Sequence, residues 1–366
     1  ISAEYDLMFA GDKVKWQKFA NSLKLRLLMR VSGKVSDAGT KMAALANAPV
    51  FTEATDNASI SFVGTLGGDN LNGWAGGVIN WGTVDEFDKR RPSKTLVDKL
   101  TELNDPRMKV WFAPVERPWT SDKKLDGVSF TTTDKNGYTY TSTWEYIDRS
   151  KKEIAALATP DILLDSNKVY VGFVAGMQSD WKNGNAHYNT ADGGVVGNFK
   201  VSKFSKLFRE NKHTLLKAMI MQSDEIQFIL AEAAAKGLIT GSADTYYRKG
   251  ITNSMTRWGV APADITAYLA QSSVALPADK AGQLAKIADQ KWIGLFFVSS
   301  EGYLDLRRTK LPNIFKNGRL SGYEFPLRYR YPGNELGQNK VAYDLGISTL
   351  VPANKDEEGS KIWLLQ

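Results

Sequence analysis

Two segments in the last third of the chain restrict the fold more than anything else in it. MQSDEIQFILAEAAAKG runs from Met221 to Gly237, and SADTYYRKGITNSMTRWG from Ser242 to Gly259. In the first, Ser223 or Asp224 reads as a helix N-cap and Gly237 as a helix stop. Only Leu238 to Gly241 separate the two. Two helices with so short a connection form an antiparallel hairpin. The pair is about as long as one tetratricopeptide repeat.

Other helices follow from the same signals. In GDKVKWQKFANSLKLRLLMRVSG, residues Trp16, Phe19, Ala20, Leu23 and Leu27 recur at helical spacing and predict one buried face. Asp12 reads as its N-cap and Gly33 as its stop. Lys15, Lys18 and Arg26 fall on other faces. Shorter helices are predicted over Ser36 to Asn47, ended by Pro49, and over Ser93 to Leu103, capped by Ser93 and ended at the turn Asn104-Asp105-Pro106. A further helix covers Gln283 to Phe297.

The middle of the chain differs. GTLGGDNLNGWAGGVIN (Gly64 to Asn80) and GMQSDWKNGNAHYNTADGGVVGN (Gly176 to Asn198) are Gly- and Asn-rich loops. Between them, Asn136-Gly137 lies between Thr- and aromatic-rich runs and predicts a two-residue β-hairpin turn. The organisation expected is mainly α in a single domain. Helical blocks occupy about 1–50 and 200–366, and a loop-rich insertion with the hairpin occupies about 51–199. No linker of the kind that separates independent domains is visible.

Composition narrows the chemistry. The chain lacks cysteine and has only His187 and His213. That removes disulfides, thiolate nucleophiles and Cys- or His-rich metal sites, and neither His lies in a recognisable motif. The net charge of +7 is spread along the chain, so it reads as a mildly basic surface rather than a nucleic-acid interface. No apolar run is long enough to span a bilayer. Acidic-asparagine clusters such as Gly68-Asp69-Asn70 suit oxygen ligation but lack the spacing of a defined calcium loop. No cofactor, metal or catalytic residue is assigned.

The segment EGYLDLRRTKLPNI (Glu301 to Ile314) places Asp305, Arg307 and Arg308 directly after the apolar run KWIGLFFVSS. A helix end accounts for it. Ser299, Ser300 and Gly302 weaken the long helix, arginines suit its negative end, Asp305 can hold one of them bidentately, and Pro312 stops the element.

QKWIGLFFVSSEGYLDLRRTKLPNI nevertheless resembles the C-terminal signature of the SusD/RagB family of nutrient-binding outer-membrane lipoproteins of Bacteroidetes. Three more stretches agree with it: GDKVKWQKFANSLKLRLLMRVSG, SDEIQFILAEAAAKG followed by ADTYYRKGI, and FPLRYRYPGNELGQNKVAYDLGI. The resemblance implies a tetratricopeptide-like helical scaffold with a ligand surface built from the remaining loops. It also implies a cell-surface, lipid-anchored outer-membrane protein that delivers oligosaccharides or peptides to a SusC-like TonB-dependent transporter. Family members usually have a longer N-terminal part with a lipidated Cys. A chain starting at Ile1 without Cys is therefore expected to lack that region and its anchor.

The family motifs carry no ligand residues, so these are read from chemistry. Sugars offer apolar C–H faces ringed by hydroxyls, which suit flat aromatic faces with amide and carboxylate partners. Six of the ten tryptophans fall from Trp74 to Trp181. Trp74, Trp81 and Trp181 lie in or beside the Gly/Asn-rich loops, with Asn72, Asn80, Asp180 and Asn183 beside them. These seven residues are the expected ligand set, and each Trp has the alternative role of anchoring its loop. The leading function is non-catalytic oligosaccharide binding for uptake. Peptide binding by the same fold, a glycoside hydrolase using two carboxylates, and a pure protein scaffold are the alternatives.

Overall fold

The computed structural model describes residues 2–62, 90–148, 150, 165–173, 200–210, 213–314 and 325–366. Along the chain, helices α1 (Lys13–Val31) and α2 (Ala38–Ala46) come first. Then come β1 (Ala58–Ser61), α3 (Lys94–Glu102) and α4 (Met108–Trp111). Four short strands follow: β2 (Trp119–Thr120), β3 (Ser129–Thr133), β4 (Thr139–Thr143) and β5 (Glu145–Tyr146). β6 (Lys217–Met221) leads into α5 (Ser223–Lys236) and α6 (Ala243–Arg257). The remaining α-helices among the described residues are α7 (Pro262–Leu269), α8 (Lys280–Gly294), α9 (Ser299–Thr309), α10 (Glu335–Gln338) and α11 (Lys340–Ser348). No described helix is long and apolar enough to cross a membrane.

The chain forms two compact units. One comprises Ile1–Gly11, Asn57–Met221 and Thr252–Ala275, and the other Asp12–Asp56, Gln222–Ile251 and Leu276–Gln366. All six strands among the described residues lie in the first unit. They pair two by two: β1 with β6 and β3 with β4 antiparallel, β2 with β5 parallel. The aromatic core of this unit gathers Trp111, Phe112, Phe204, Phe208 and Trp258, whose rings meet mostly edge to face at centroid separations of 5.3–6.3 Å. Beside it Arg107 and Asp105, both without exposed side-chain surface, form a two-point ion pair, and Arg107 also donates to Ser254 Oγ at 2.9 Å.

The hairpin is present, but its turn is longer than the two residues expected. Thr133 pairs with Thr139, and Asp134 N–H donates to Tyr138 C=O. Gly137 N–H donates to Asp134 C=O, and Gly137 sits at φ +84°. This is a turn followed by a left-handed residue that only glycine adopts without strain. The Asp134 carboxylate overrides the shorter turn by accepting from Asn136 N–H, Tyr138 N–H and the Tyr140 hydroxyl.

In the second unit α5 is the central element. Every residue from Ser223 to Ala233 is buried, including Asp224, Glu225, Gln227 and Glu232. Its neighbours α1, α2 and α8 pack around it. Gly250 of α6 lies against the Phe228 ring, where a Cβ would stand 2.7 Å away, so the helix pair predicted from sequence closes through a glycine. Gly237 ends α5 at φ +76° as expected, whereas Gln222, not Ser223 or Asp224, precedes its first turn. Helix α1 starts at Asp12, whose carboxylate accepts from Val14 and Lys15 N–H.

The buried face of α1 is not the one expected. Ser22, Leu25, Arg26 and Met29 are buried, while Leu27 is 49% exposed. The expected stripe of Trp16, Phe19 and Leu23 is half-buried at the edge of that face, and Ala20 is exposed. The cause is an ion pair. Arg26 donates Nε and Nη2 to the two oxygens of Glu225 on α5 at 2.6 and 2.5 Å, and the pair turns Arg26 inward.

The predicted last long helix is two helices. α8 stops at Gly294 and α9 begins at Ser299. Asp305 and Arg308 at the end of α9 are structural, as in the helix-end reading. Arg308 forks onto Glu232 at 2.6 and 2.7 Å and also donates to Asp305 at 2.6 Å. Lys291 pairs with Asp305 at 2.9 Å and Lys236 with Glu232 at 2.6 Å, and Arg30 pairs with Glu301.

Removing one member of a buried pair leaves an uncompensated charge and costs about 3–5 kcal/mol. Arg26→Ala should therefore lower urea-unfolding stability by about that amount, and Arg26→Met with Glu225→Leu should recover most of it. Equal stabilities for all three proteins would show that the pair does not hold α1 to α5. A second outcome follows from charge. Burial alone would raise the Asp305 and Glu232 carboxyls, but Lys291 and Arg308 at the first and Arg308 at the second outweigh it and hold both below their ordinary values. Depressed carboxyls stabilise the fold fully above the unfolded values, about pH 4, and that stability is lost as pH falls through the folded ones. Asp305→Asn should weaken the protein at neutral pH and flatten its stability loss below about pH 4, as acid titration by circular dichroism would record.

Candidate functional site

All seven residues of the expected ligand set lie outside the described residues: Asn72, Trp74, Asn80 and Trp81 within residues 63–89, Asp180, Trp181 and Asn183 within residues 174–199. Gly68-Asp69-Asn70 lies there too. What the structure describes is the frame from which these two segments leave, in the first unit.

That frame is tightly built. Phe173 N–H donates to Pro92 C=O at 2.7 Å, and Lys94 N–H donates to Phe173 C=O at 2.6 Å. Ser93 and Phe173 form a parallel bridge. Ser202 N–H donates to Val171 C=O at 2.9 Å, and the Ser202 hydroxyl accepts from Val171 N–H. Residues flanking the end of the first segment therefore bond directly to those before the second, and those in turn to residues just after it. The approach needs a glycine: a Cβ on Gly172 would stand 2.4 Å from Lys94 Cα.

Charge and aromatic contacts brace the same frame. Lys94, at the start of α3, pairs with Asp165 at 2.7 Å and Asp98 at 3.0 Å. Lys168 pairs with Asp165 at 2.6 Å. Burial would raise the Asp165 carboxyl, but hydrogen bonds from Lys168 and Lys94 outweigh it and hold it low. Lys200, at the return of the second segment, lies over the Trp119 ring at 3.4 Å and pairs with Glu145.

A cleft of about 590 Å³ opens in the same unit along α3. Its lining includes Leu100, Asn104, Met108, Tyr170, Asp264 and Gln271, and Lys135 pairs with Asp264 across it. The α-helical rise places Thr101, on its wall, about 10 Å along α3 from Lys94 at the frame. Tyr170 belongs to the segment that ends in Phe173, so it connects cleft and frame. Its hydroxyl has no hydrogen-bond partner among the described residues. Burial, helped by the charge of Asp134, pushes its phenol up to about 12. The volume fits a small ligand, and the lining offers apolar surface, an aromatic ring and amide and charged hydrogen-bonding groups. Sequence reading missed this cleft because its walls come from four remote segments. The nearest signal was the turn at Asn104-Asp105-Pro106, where Asn104 adopts φ +51°.

Among the described residues no group of three His, Cys, Asp or Glu could hold a metal ion.

The chain matches the family described as "Starch-binding associating with outer membrane", SusD-like, over residues 1–191 and 172–332. Among solved structures it is similar to a chitin-binding protein, at 23% identity and a TM-score of 0.67, over 98% of this chain and 66% of that one. It is also similar to a SusD-like protein from Bacteroides thetaiotaomicron, at 26% identity and a TM-score of 0.64, over 99% and 66%. A Bacteroidetes SusD-like protein matches at 22% identity and a TM-score of 0.70, over 99% and 71%. The chain thus spans about two thirds of the length of these structures. No curated protein sequence matches it.

Gly172→Ala should test the frame. The added methyl meets backbone, which cannot move aside as a side chain can, and overpacking of this kind costs about 1–3 kcal/mol. The variant should lose that much stability and exchange the Lys94 and Phe173 amide hydrogens faster. Unchanged exchange would mean that the frame does not need the close approach.

Proposed function

Because the chain belongs to the SusD-like family, described as starch-binding and associating with the outer membrane, we propose that it is a non-catalytic cell-surface protein that binds oligosaccharides. It is held to the outer membrane by a lipid anchor and hands its ligand to a partner TonB-dependent transporter of the SusC type. The observation that carries this reading is the shared frame. Two segments that bring Trp74, Trp81 and Trp181 spring from backbone stretches hydrogen-bonded to one another at Pro92, Lys94 and Phe173. Stems fixed together allow the indole faces of both segments to act on one ligand, with Asn72, Asn80, Asp180 and Asn183 orienting its hydroxyls.

In the cleft beside the frame, the Tyr170 ring supplies a further flat apolar face. The printed name of one similar structure, a chitin-binding protein, agrees with a saccharide as the ligand class. Aromatic stacking on a sugar face needs no charge, so binding is expected to depend little on salt.

Titration with a panel of oligosaccharides and short peptides, followed by tryptophan fluorescence, tests the proposal. A saturable glycan signal is expected. Trp74→Ala, Trp81→Ala or Trp181→Ala should weaken it by about tenfold or more with the fold retained, the size of one lost aromatic contact. Tyr170→Phe should keep affinity and Tyr170→Ala should lose it, because the ring and not the hydroxyl makes the contact. No reducing ends should appear in the bound glycan on incubation. Peptides that bind where every glycan fails would overturn the ligand class.

A further inference from the structure

A second cleft, of about 600 Å³, lies wholly in the second unit and plays no part in the reading above. The ends of α1, α5 and α9, one face of α8 and the turn Trp363–Leu365 line it. Its floor is aliphatic: Leu238, Leu284, Ile287, Leu311, Leu364 and Leu365. Its rim is cationic. Arg30, Lys236, Lys291 and Arg308 are matched by Glu301, Glu232 and Asp305. Lys34, Arg307 and Lys310 remain in the lining, and among the described residues no ion pair to a carboxylate engages them. Arg307 stacks over the Tyr303 ring at 5.2 Å, and its Nε is buried without a hydrogen-bond partner there. Trp363, next to the floor residues Leu364 and Leu365, is 59% exposed.

An aliphatic floor gives a sugar no flat aromatic face, so a second saccharide site is not what this cleft offers. It matches a molecule with an anionic head and a hydrocarbon tail. An exposed indole beside surface cations is also the arrangement that sits well at a lipid–water interface. We propose that this cleft takes an anionic lipid, its phosphate on Lys34, Arg307 and Lys310 and its acyl chain on the leucine floor. Such a contact would hold this face of the second unit against the membrane surface.

The test uses co-sedimentation with vesicles of phosphatidylcholine, with and without phosphatidylglycerol, and the part of the tryptophan emission that Trp363→Phe removes. The protein should bind the phosphatidylglycerol vesicles and blue-shift. Lys34→Glu with Lys310→Glu, both at exposed positions, should weaken binding by at least about tenfold, since each cation near an anionic surface contributes about fivefold. Leu284→Asn keeps every charge and should also weaken binding. Short-chain phosphatidylglycerol should compete and glycerol phosphate should not. Binding that falls with the charge variants but not with Leu284→Asn, or that glycerol phosphate displaces, would reduce the effect to surface charge and overturn the site. Equal binding to both vesicle types, or capture of acidic peptides without lipid, would overturn it as well. Glycan titration of the same variants should be unchanged, which separates this result from the oligosaccharide reading.

Discussion

The second unit depends on how one helix is allowed to be buried on all sides while carrying carboxylates. Helix α5 has no solvent-facing side from Ser223 to Ala233, yet Glu225 and Glu232 lie within that stretch. Isolated carboxylates could not be buried there. Each is answered by an arginine from a different helix: Arg26 of α1 grips Glu225, and Arg308 of α9 grips Glu232. Lys291 of α8 then joins through Asp305. Two-point arginine–carboxylate pairs have one good geometry, so they set the rotation of the outer helices about α5 as well as their attachment. The charged stretch at the end of α9, which reads from sequence as a helix end, is the outer half of this clamp.

The first unit solves a different problem. Among its described residues the strands are short and lie in separate pairs, and an aromatic core gathers around Trp111 and Trp258. On that core, hydrogen bonds among the segments at 92–94, 171–173 and 202 fix the flanks of the two Gly/Asn-rich segments. A rigid scaffold that presents loops of variable chemistry is a common way to build recognition, because loop residues can change without disturbing packing. The SusD-like membership of the chain and the proposed oligosaccharide binding both fit this division between a charge-clamped helical unit and a loop-bearing one.

Much of the scaffold was legible in the sequence. Asp12, Ser93 and Gly237 each act at the helix end where they were expected, because capping is a local interaction between a side chain and the next few amides. What failed was the choice of face on α1. Its apolar residues are spread around the helix, and an arginine reads as solvated unless its partner is known. That partner, Glu225, is 199 residues away. The hairpin turn failed for a related reason: Asn136-Gly137 has the composition of a tight turn, but Asp134 captures the neighbouring amides. The cleft beside Tyr170 was invisible because no one segment encodes it, and the seven expected ligand residues lie outside the described residues.

The central claim is that the two tryptophan-bearing segments and their common frame form the ligand surface. Hydrogen exchange read by mass spectrometry, with and without a saturating oligosaccharide, tests it most directly. Slower exchange is expected across residues 63–89 and 174–199 and at the Lys94 and Phe173 amides, with α5 and α8 unchanged. Protection confined to the second unit, with those two segments unaffected by a bound glycan, would contradict it.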